Sequence, residues 1–421
     1  MLKKQLGCVI VLTILALTVL LNIFAETQQH LQVSPFCAYY LHSNPNFLPT
    51  SQPQTSNQKD VPIVHIPSLV SIPCFAWGRN IQSIIDNGFF SWEKNPSLYL
   101  YAQQKGTLRS IGIIGKIPIQ CFQNNIIKQH EGTIARKVDM YAQNLKMQAA
   151  SFEPILLGYQ GSQEIDTLVT ELSQNLPTFS FYTADGTQHA IWRIENNTHI
   201  EKISSLFSQI KNCYILDGHH RAAALCKIYE ELLANPEQNN FLELYNLDTF
   251  KDCHVALFPH HQIHIFAYNR ILKNLPQLSD NDFLTMLQKY FTMQPIEQSE
   301  ATPQKPHEIG MYFAHQWFRL SPKEELLQIN TNDPTCTLDI SLTNNHIIKP
   351  LSKTYNIPVA NMVEYVNYTI SLSELETQCN EHNAKAAFIF YPITFETLAK
   401  IAQNGCVLPE KATWIEPKVN I

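Results

Sequence analysis

Five residues, Asp217-Gly218-His219-His220-Arg221, place four polar side chains between an apolar run and a small-residue helix. The surrounding stretch, Cys213 to Leu233, reads CYILDGHHRAAALCKIYEELL. A strand that enters a helix through a glycine turn presents backbone N–H groups at the helix N-terminus, a natural anion site. Asp217 at the strand end can orient a hydroxyl or accept its proton. Gly218 lets the backbone turn and approach a ligand closely. His219 and His220 can donate to phosphate oxygens, and Arg221 can make a forked, permanently charged contact with phosphate or carboxylate. The plainer alternative is that Asp217 only N-caps the helix. Capping occupies one residue and leaves two histidines and an arginine idle. Zinc is a weaker reading, because adjacent histidines point differently and no third ligand has suitable spacing.

The elements that must position this turn are legible in outline. Leu225, Ile228 and Leu232 recur at helical spacing and should face the core. SLYLYAQQ and RSIGIIGKIPI alternate and carry β-branched residues, so they predict strands. VDMYAQNLKMQAA predicts a helix, with Met140, Leu145, Met147 and Ala150 at mixed helical spacings, and PILLGYQ a strand. DTLVTELSQNL and ISSLFSQI predict helices on either side of FSFYTADGTQHAIWRI, a hairpin turning at Asp185-Gly186. CHVALFP and IHIFAYN read as two further strands. The pattern restarts near residue 276 with helix DNDFLTMLQKYF and hairpin IGMYFAHQWFRL. Helix SLSELETQCNEH, strand AAFIFYP and helix TFETLAKIAQNG follow. The mixture predicts an α/β chain with an internal seam near 276.

The 421 residues suggest two domains, and 45% hydrophobic composition is enough to fill their cores. A net charge of −6 with no dense basic run argues against nucleic acid as a partner. Residues 1–25 hold MLKKQ and then an uncharged apolar run, which predicts a signal peptide or a membrane anchor. Lys3 and Lys4 before that run would place the remainder outside the cytoplasm. Cysteine usage points the other way. The chain has ten cysteines, without a CxxC pair or a short disulfide framework, as in a reducing compartment and a cytoplasmic protein. Residues 26–95 begin rich in Gln, Asn, Ser and Pro and read as a linker and divergent arm. His260, His261 and His264 could bind metal, although a polar strand edge is the better reading.

The DGHHR turn with its small-residue helix resembles a widespread, functionally uncharacterised prokaryotic family. That family is related to free serine kinases and, more distantly, to the ParB/sulfiredoxin superfamily. The likeness extends to IIKQHEGTIARKVDMYAQNLKMQAASFEPILLGY, where a Lys-x-His-Glu box precedes a helix. It continues through ALFPHHQIHIFAYNRILKNL and AAFIFYPITFETLAKIAQNGCVLPEKATWIEPK, whose Pro-x-Lys-x-Thr loop would close the site. It covers roughly residues 96 to 418. The resemblance implies a ParB/sulfiredoxin-like core over 96–275 and a C-terminal α/β domain over 276–421. It also implies that Glu131 is the base taking a serine hydroxyl proton, as the matching glutamate does in free serine kinases. Asp217 would support the attacking hydroxyl or hold Mg²⁺ through water, with Gly218, His219, His220 and Arg221 on the nucleotide phosphates. Tyr268 would lie beside the amino-acid pocket, and Lys411 and Thr413 would meet the amino acid or its phosphate.

Two departures accompany the likeness. The Pro-Pro-Tyr-Asp turn common near the start of relatives has only SIPCFAWGRN in its place, and the apolar leader is foreign to an ATP-using enzyme. Sulfiredoxin-like chemistry is disfavoured by Gly218, which stands where a nucleophilic cysteine is needed. The leading expectation is Mg²⁺-dependent phosphoryl transfer from ATP or ADP to a small hydroxylated metabolite, serine first. The rivals are a nucleotide- or phosphate-binding module without turnover and an exported interaction protein on the same fold.

Overall fold

The computed structural model describes residues 31–36, 38–41, 70–71, 90–92, 95–148, 153–183, 185–234, 250–328 and 333–419. The leader and the SIPCFAWGRN segment lie outside these, apart from the backbone of Ser71. Among the described residues no helix is long and apolar enough to cross a membrane.

An eight-stranded mixed sheet organises the first half of the chain. Its order is Ile127–Lys128, Cys213–Asp217, Ile155–Tyr159, Asp252–Pro259, Leu108–Pro118, Leu98–Lys105, Gln188–Ile194 and Phe179–Tyr182. Alternation along each strand sorts side chains onto two faces. Leu98, Leu100, Ile155, Leu157, Cys213, Ile215, Val255 and Leu257 enter one core, which the helices Gln163–Leu172, Asn197–Phe207 and His219–Ala234 cover. Tyr99, Tyr101, Leu156, Tyr214, Leu216, Ala256 and Phe258 enter the other. That second face is covered from far along the chain, by Phe395, Leu398 and Ala402 of helix Phe395–Gln403 and by Ile415 and Val419.

A six-stranded antiparallel sheet runs Phe291–Ile296, Gln316–Pro322, Ile309–Phe313, Ala386–Phe390, Asn269–Leu272 and Val363–Val366. The fold is therefore mixed α/β, as the patterning predicts. IHIFAYN is not one strand, however. His264–Phe266 pairs with Trp414–Glu416 in a two-stranded ribbon, and Asn269–Leu272 joins the six-stranded sheet. The chain changes sheets at Ala267–Tyr268, earlier than the seam read at 276. A continuous apolar pattern hides such a change, because burial is the same on both sides of it.

Two further readings are corrected. Residues 31–36 are not linker. Leu31, Val33 and Phe36 are fully buried, and the backbones of Ser34 and Phe36 pair with Lys116 and Ser97. In helix Ala135–Gln148 the buried face is Val138 and Ala142, while Met140 is 49% exposed. The hairpin at Asp185-Gly186 forms as expected, with Gly186 at φ +80° and the Asp185 carboxylate accepting from Thr187 N–H and both threonine hydroxyls. Leu225, Ile228 and Leu232 are buried, as their spacing requires.

His254 lies wholly inside the first sheet, edge-on to Phe36, with neither ring nitrogen hydrogen-bonded. Burial holds its pKa down at about 3, against an ordinary 6.5. Above about 6.5 both folded and unfolded chains are neutral there, and nothing is lost. As pH falls below 6.5 only the unfolded chain gains the proton, so stability declines. The loss from this residue should reach on the order of 2 kcal/mol at pH 5. Urea unfolding at pH 7 and pH 5 should show a smaller pH difference in His254→Phe than in wild type. An equal difference would mean that His254 is not held neutral.

Candidate functional site

Strand Cys213–Asp217 ends at Asp217, and after Gly218 the helix begins with His219, three residues earlier than a helix starting after Arg221. Gly218 makes the junction at φ +93°, a conformation that only glycine adopts freely. Its carbonyl accepts the first helical bond, from Ala222 N–H at 2.9 Å. Gly218 also leaves room above itself. A Cβ there would lie 2.9 Å from Arg221 Nε and 3.0 Å from Nη2, so the guanidinium folds back over the glycine.

Arg221 is held between two carboxylates. Nη2 donates to Asp217 at 2.8 Å and Nη1 to Glu153, with the side chain 16% exposed. The other Asp217 oxygen faces Lys418 Nζ at 3.4 Å. Of the two histidines His219 turns inward and His220 turns onto the neighbouring loop. His219 is buried, packs edge-on against His130 at 4.6 Å, and places Nδ1 3.7 Å from Glu131. Burial pulls the His219 pKa down to about 4, so at neutral pH it is an uncharged imidazole. His220 Nε2 accepts from Ile134 N–H at 3.1 Å, pinning the loop after Glu131 to the helix start. Of the DGHHR residues, then, Asp217 and Arg221 bear charge at the turn, while His219 and His220 brace the Glu131 loop.

Glu131 sits above this turn, 40% exposed. Its pKa is raised, first by partial removal from water and then by the negative charge of Asp217; Lys411 and Lys418 oppose the shift. The same groups reach Tyr268, whose pKa is raised by burial, with Lys418 lowering it and Glu131 and Asp217 raising it. Lys411, left-handed at φ +53°, sets its ammonium 5.1 Å from the Tyr268 ring centre. Tyr268 packs at 5.4 Å against Trp414, over which Lys418 also lies at 5.4 Å. Thr413 is buried and so helps to support this loop. Leu408 N–H donates to the His130 carbonyl at 2.8 Å, joining the loop to the segment that carries Glu131.

The structure thus brings Glu131, Asp217, Tyr268 and Lys411 into one neighbourhood, with Arg221 beside Asp217. It adds Lys418 and Trp414, which sequence reasoning left out although both lie inside the segment TWIEPK. It also adds Glu153, for which the sequence offers no signal beyond its position before strand Ile155–Tyr159. Among the described residues no cluster of His, Cys, Asp and Glu could hold a metal by itself. His260 instead accepts from Gly161 N–H at 3.0 Å, and His261 faces Asp166 at 3.5 Å.

Residues 40–341 match the family described as "Protein of unknown function (DUF1015)". The chain belongs to this family. The match starts inside the stretch set apart above as a divergent arm, in line with the burial of residues 31–36 just before it. No curated protein matches the chain. Among solved structures it is similar to a free serine kinase in complex with AMP, at 13% identity and TM-score 0.36, over 73% of this chain and 88% of that one. It is also similar to a conserved hypothetical protein from Pyrococcus furiosus, at 12% and 0.34, over 72% and 90%. A third is a C-terminally truncated SbnI from Staphylococcus aureus, at 12% and 0.37, over 73% and 85%.

Gly218→Ala tests the turn itself. Holding a side chain in the left-handed region should cost about 1–2 kcal/mol, and the new methyl should push the guanidinium off Asp217. Urea unfolding measures the loss. Unchanged stability would show that the turn does not need its glycine.

Proposed function

We propose that the protein transfers a phosphoryl group from ATP or ADP to a small hydroxylated metabolite, with serine the first candidate. The observation that supports this best is the position of Glu131, 3.7 Å from His219 at the start of a helix where Asp217 also holds two cations, Arg221 and Lys418. Phosphoryl transfer asks for little else from a protein: a group that takes the acceptor proton, and fixed positive charge where the phosphates lie.

Each residue then has a task. Glu131 accepts the hydroxyl proton, and its raised pKa makes it a stronger base than an ordinary surface carboxylate. The uncharged imidazole of His219, 3.7 Å away, leaves that carboxylate unneutralised. The first backbone N–H groups of helix His219–Ala234 would meet phosphate oxygens, and the guanidinium of Arg221 would join them by turning from Glu153. Lys418 bridges from Asp217 toward the transferred group, while Tyr268, Trp414 and Lys411 wall the acceptor pocket. Asp217 has its oxygens on Arg221 and Lys418, so its part is to hold these cations in place.

Magnesium fits this donor set only as an ion that arrives with the nucleotide, since among the described residues no group of three or more His, Cys, Asp and Glu could hold it. Magnesium commonly binds through one or two carboxylates plus substrate phosphates, where it neutralises phosphate charge.

The full chain, incubated with ATP or ADP, Mg²⁺ and a panel of hydroxylated metabolites led by serine, should show acceptor-dependent transfer by phosphorus NMR. Glu131→Gln keeps size but cannot take the proton, and turnover should fall by about 10²–10⁴-fold with little change in nucleotide affinity. In wild type the rate should fall as pH drops through a pKa above the usual carboxylate range, because the base works only when ionised. Turnover indifferent to Glu131→Gln would remove the glutamate as base. Tight nucleotide binding without transfer would favour the binding-module alternative.

Arg221→Ala should weaken ADP binding by about 1.5–3 kcal/mol, the range for a hydrogen bond to a charged group. Calorimetric titration measures it. Equal affinities would take Arg221 out of the phosphate site and leave it as the partner of Asp217 and Glu153.

A further inference from the structure

Arg270 is the largest fully buried side chain among the described residues, at 1% exposure on strand Asn269–Leu272. Its neighbours are aromatic. Tyr365 lies directly opposite it on one adjacent strand and Phe388 on the other, with Phe390 two residues further along. The guanidinium carbon sits 5.3 Å from the Tyr365 ring centre and 5.2 Å from that of Phe390. Nη2 donates to the Glu410 carbonyl at 3.2 Å, while Nε and Nη1 have no hydrogen-bond partner. A charge with two unpaired nitrogens is a poor way to fill a core slot. An apolar side chain of similar volume there is commonly neutral or stabilising. Stability alone does not explain Arg270.

An apolar residue could not hold the Glu410 carbonyl. The next residue, Lys411, is a non-glycine residue in the left-handed region, which persists only where its surroundings impose it. Tyr268, two residues before Arg270, lies under the Lys411 ammonium. Two nearby positions of one segment therefore grip two consecutive residues of the loop, one by its backbone and the other by its side chain. The loop's opposite flank is fixed by Leu408 N–H on the His130 carbonyl.

We propose that Arg270 is a positioning residue for the site, setting the Lys411 loop through the Glu410 carbonyl. Its predicted effect on nucleotide rests on the phosphate-binding reading above; its effect on the loop does not.

Trp414 in the same loop reports the outcome. Acrylamide quenching of the ligand-free full chain, taken as the difference between each background and its Trp414→Phe counterpart, measures how open the loop is. Arg270→Met should keep an unfolding midpoint at or above that of wild type, and Trp414 quenching should rise about twofold as the loop loosens. ADP affinity should fall about tenfold, equivalent to 1.4 kcal/mol. Loss of ADP binding in wild type itself would overturn the phosphate reading and leave the quenching comparison to decide Arg270. A folded Arg270→Met with wild-type quenching would overturn the proposal. Should that variant not fold, Arg270→Lys keeps the charge with a shorter reach and should show the same rise in quenching. Failure of both to fold would also overturn it, making Arg270 a core support.

Discussion

One carboxylate ties the site together. Asp217 holds Arg221 with one oxygen and Lys418 with the other, four and 201 residues away along the chain. The first contact is local and belongs to the turn. The second exists only because helix Phe395–Gln403 and the strand Trp414–Glu416 return to cover the far face of the first sheet. That return also brings Lys411, Trp414 and the Leu408 amide to the Glu131 segment. If Asp217 lost its charge, Arg221 would keep only Glu153 and Lys418 would lose the carboxylate that joins it to the turn.

The placing of His219 and His220 changes how the motif is understood. Read as a string, DGHHR offers three phosphate donors in a row. Folded as the first turn of a helix, consecutive side chains point about 100° apart and cannot all face one ligand. One histidine goes to the core beside His130, the next to the Ile134 amide, and the arginine folds back over Gly218. The helix start is thereby fastened to the loop carrying Glu131, so that Glu131 and the Asp217–Arg221 turn share one frame.

What the sequence disclosed follows the range of the forces involved. The Asp217–Arg221 turn, the Asp185-Gly186 hairpin and the buried stripe of helix His219–Ala234 all depend on spacings within a few residues, and spacing is visible in a string. The buried face of Ala135–Gln148 was misjudged because Met140 looks apolar, whereas the helix is oriented by what it packs against. Lys418 and Glu153 gave no local signal, since each acts through a partner far along the chain. Arg270 gave a misleading one. Between Asn269 and Ile271 it reads as an exposed strand position, and nothing nearby in the sequence announces the two rings that enclose it.

The late return of the C-terminal segment also has a consequence for how the protein is made. Asp217 and Arg221 can meet as soon as their helix forms on the ribosome. Lys418 follows 201 residues later, a delay of roughly 10–40 s at ordinary elongation rates of about 5–20 residues per second. Within that interval the far face of the eight-stranded sheet, with Tyr99, Tyr101, Leu156 and Phe258, is complete once Pro259 is made and gains its covering helix only from Phe395. Nascent chains would therefore expose a broad apolar surface between the synthesis of that strand and that helix, when unpaired apolar surface is prone to aggregate.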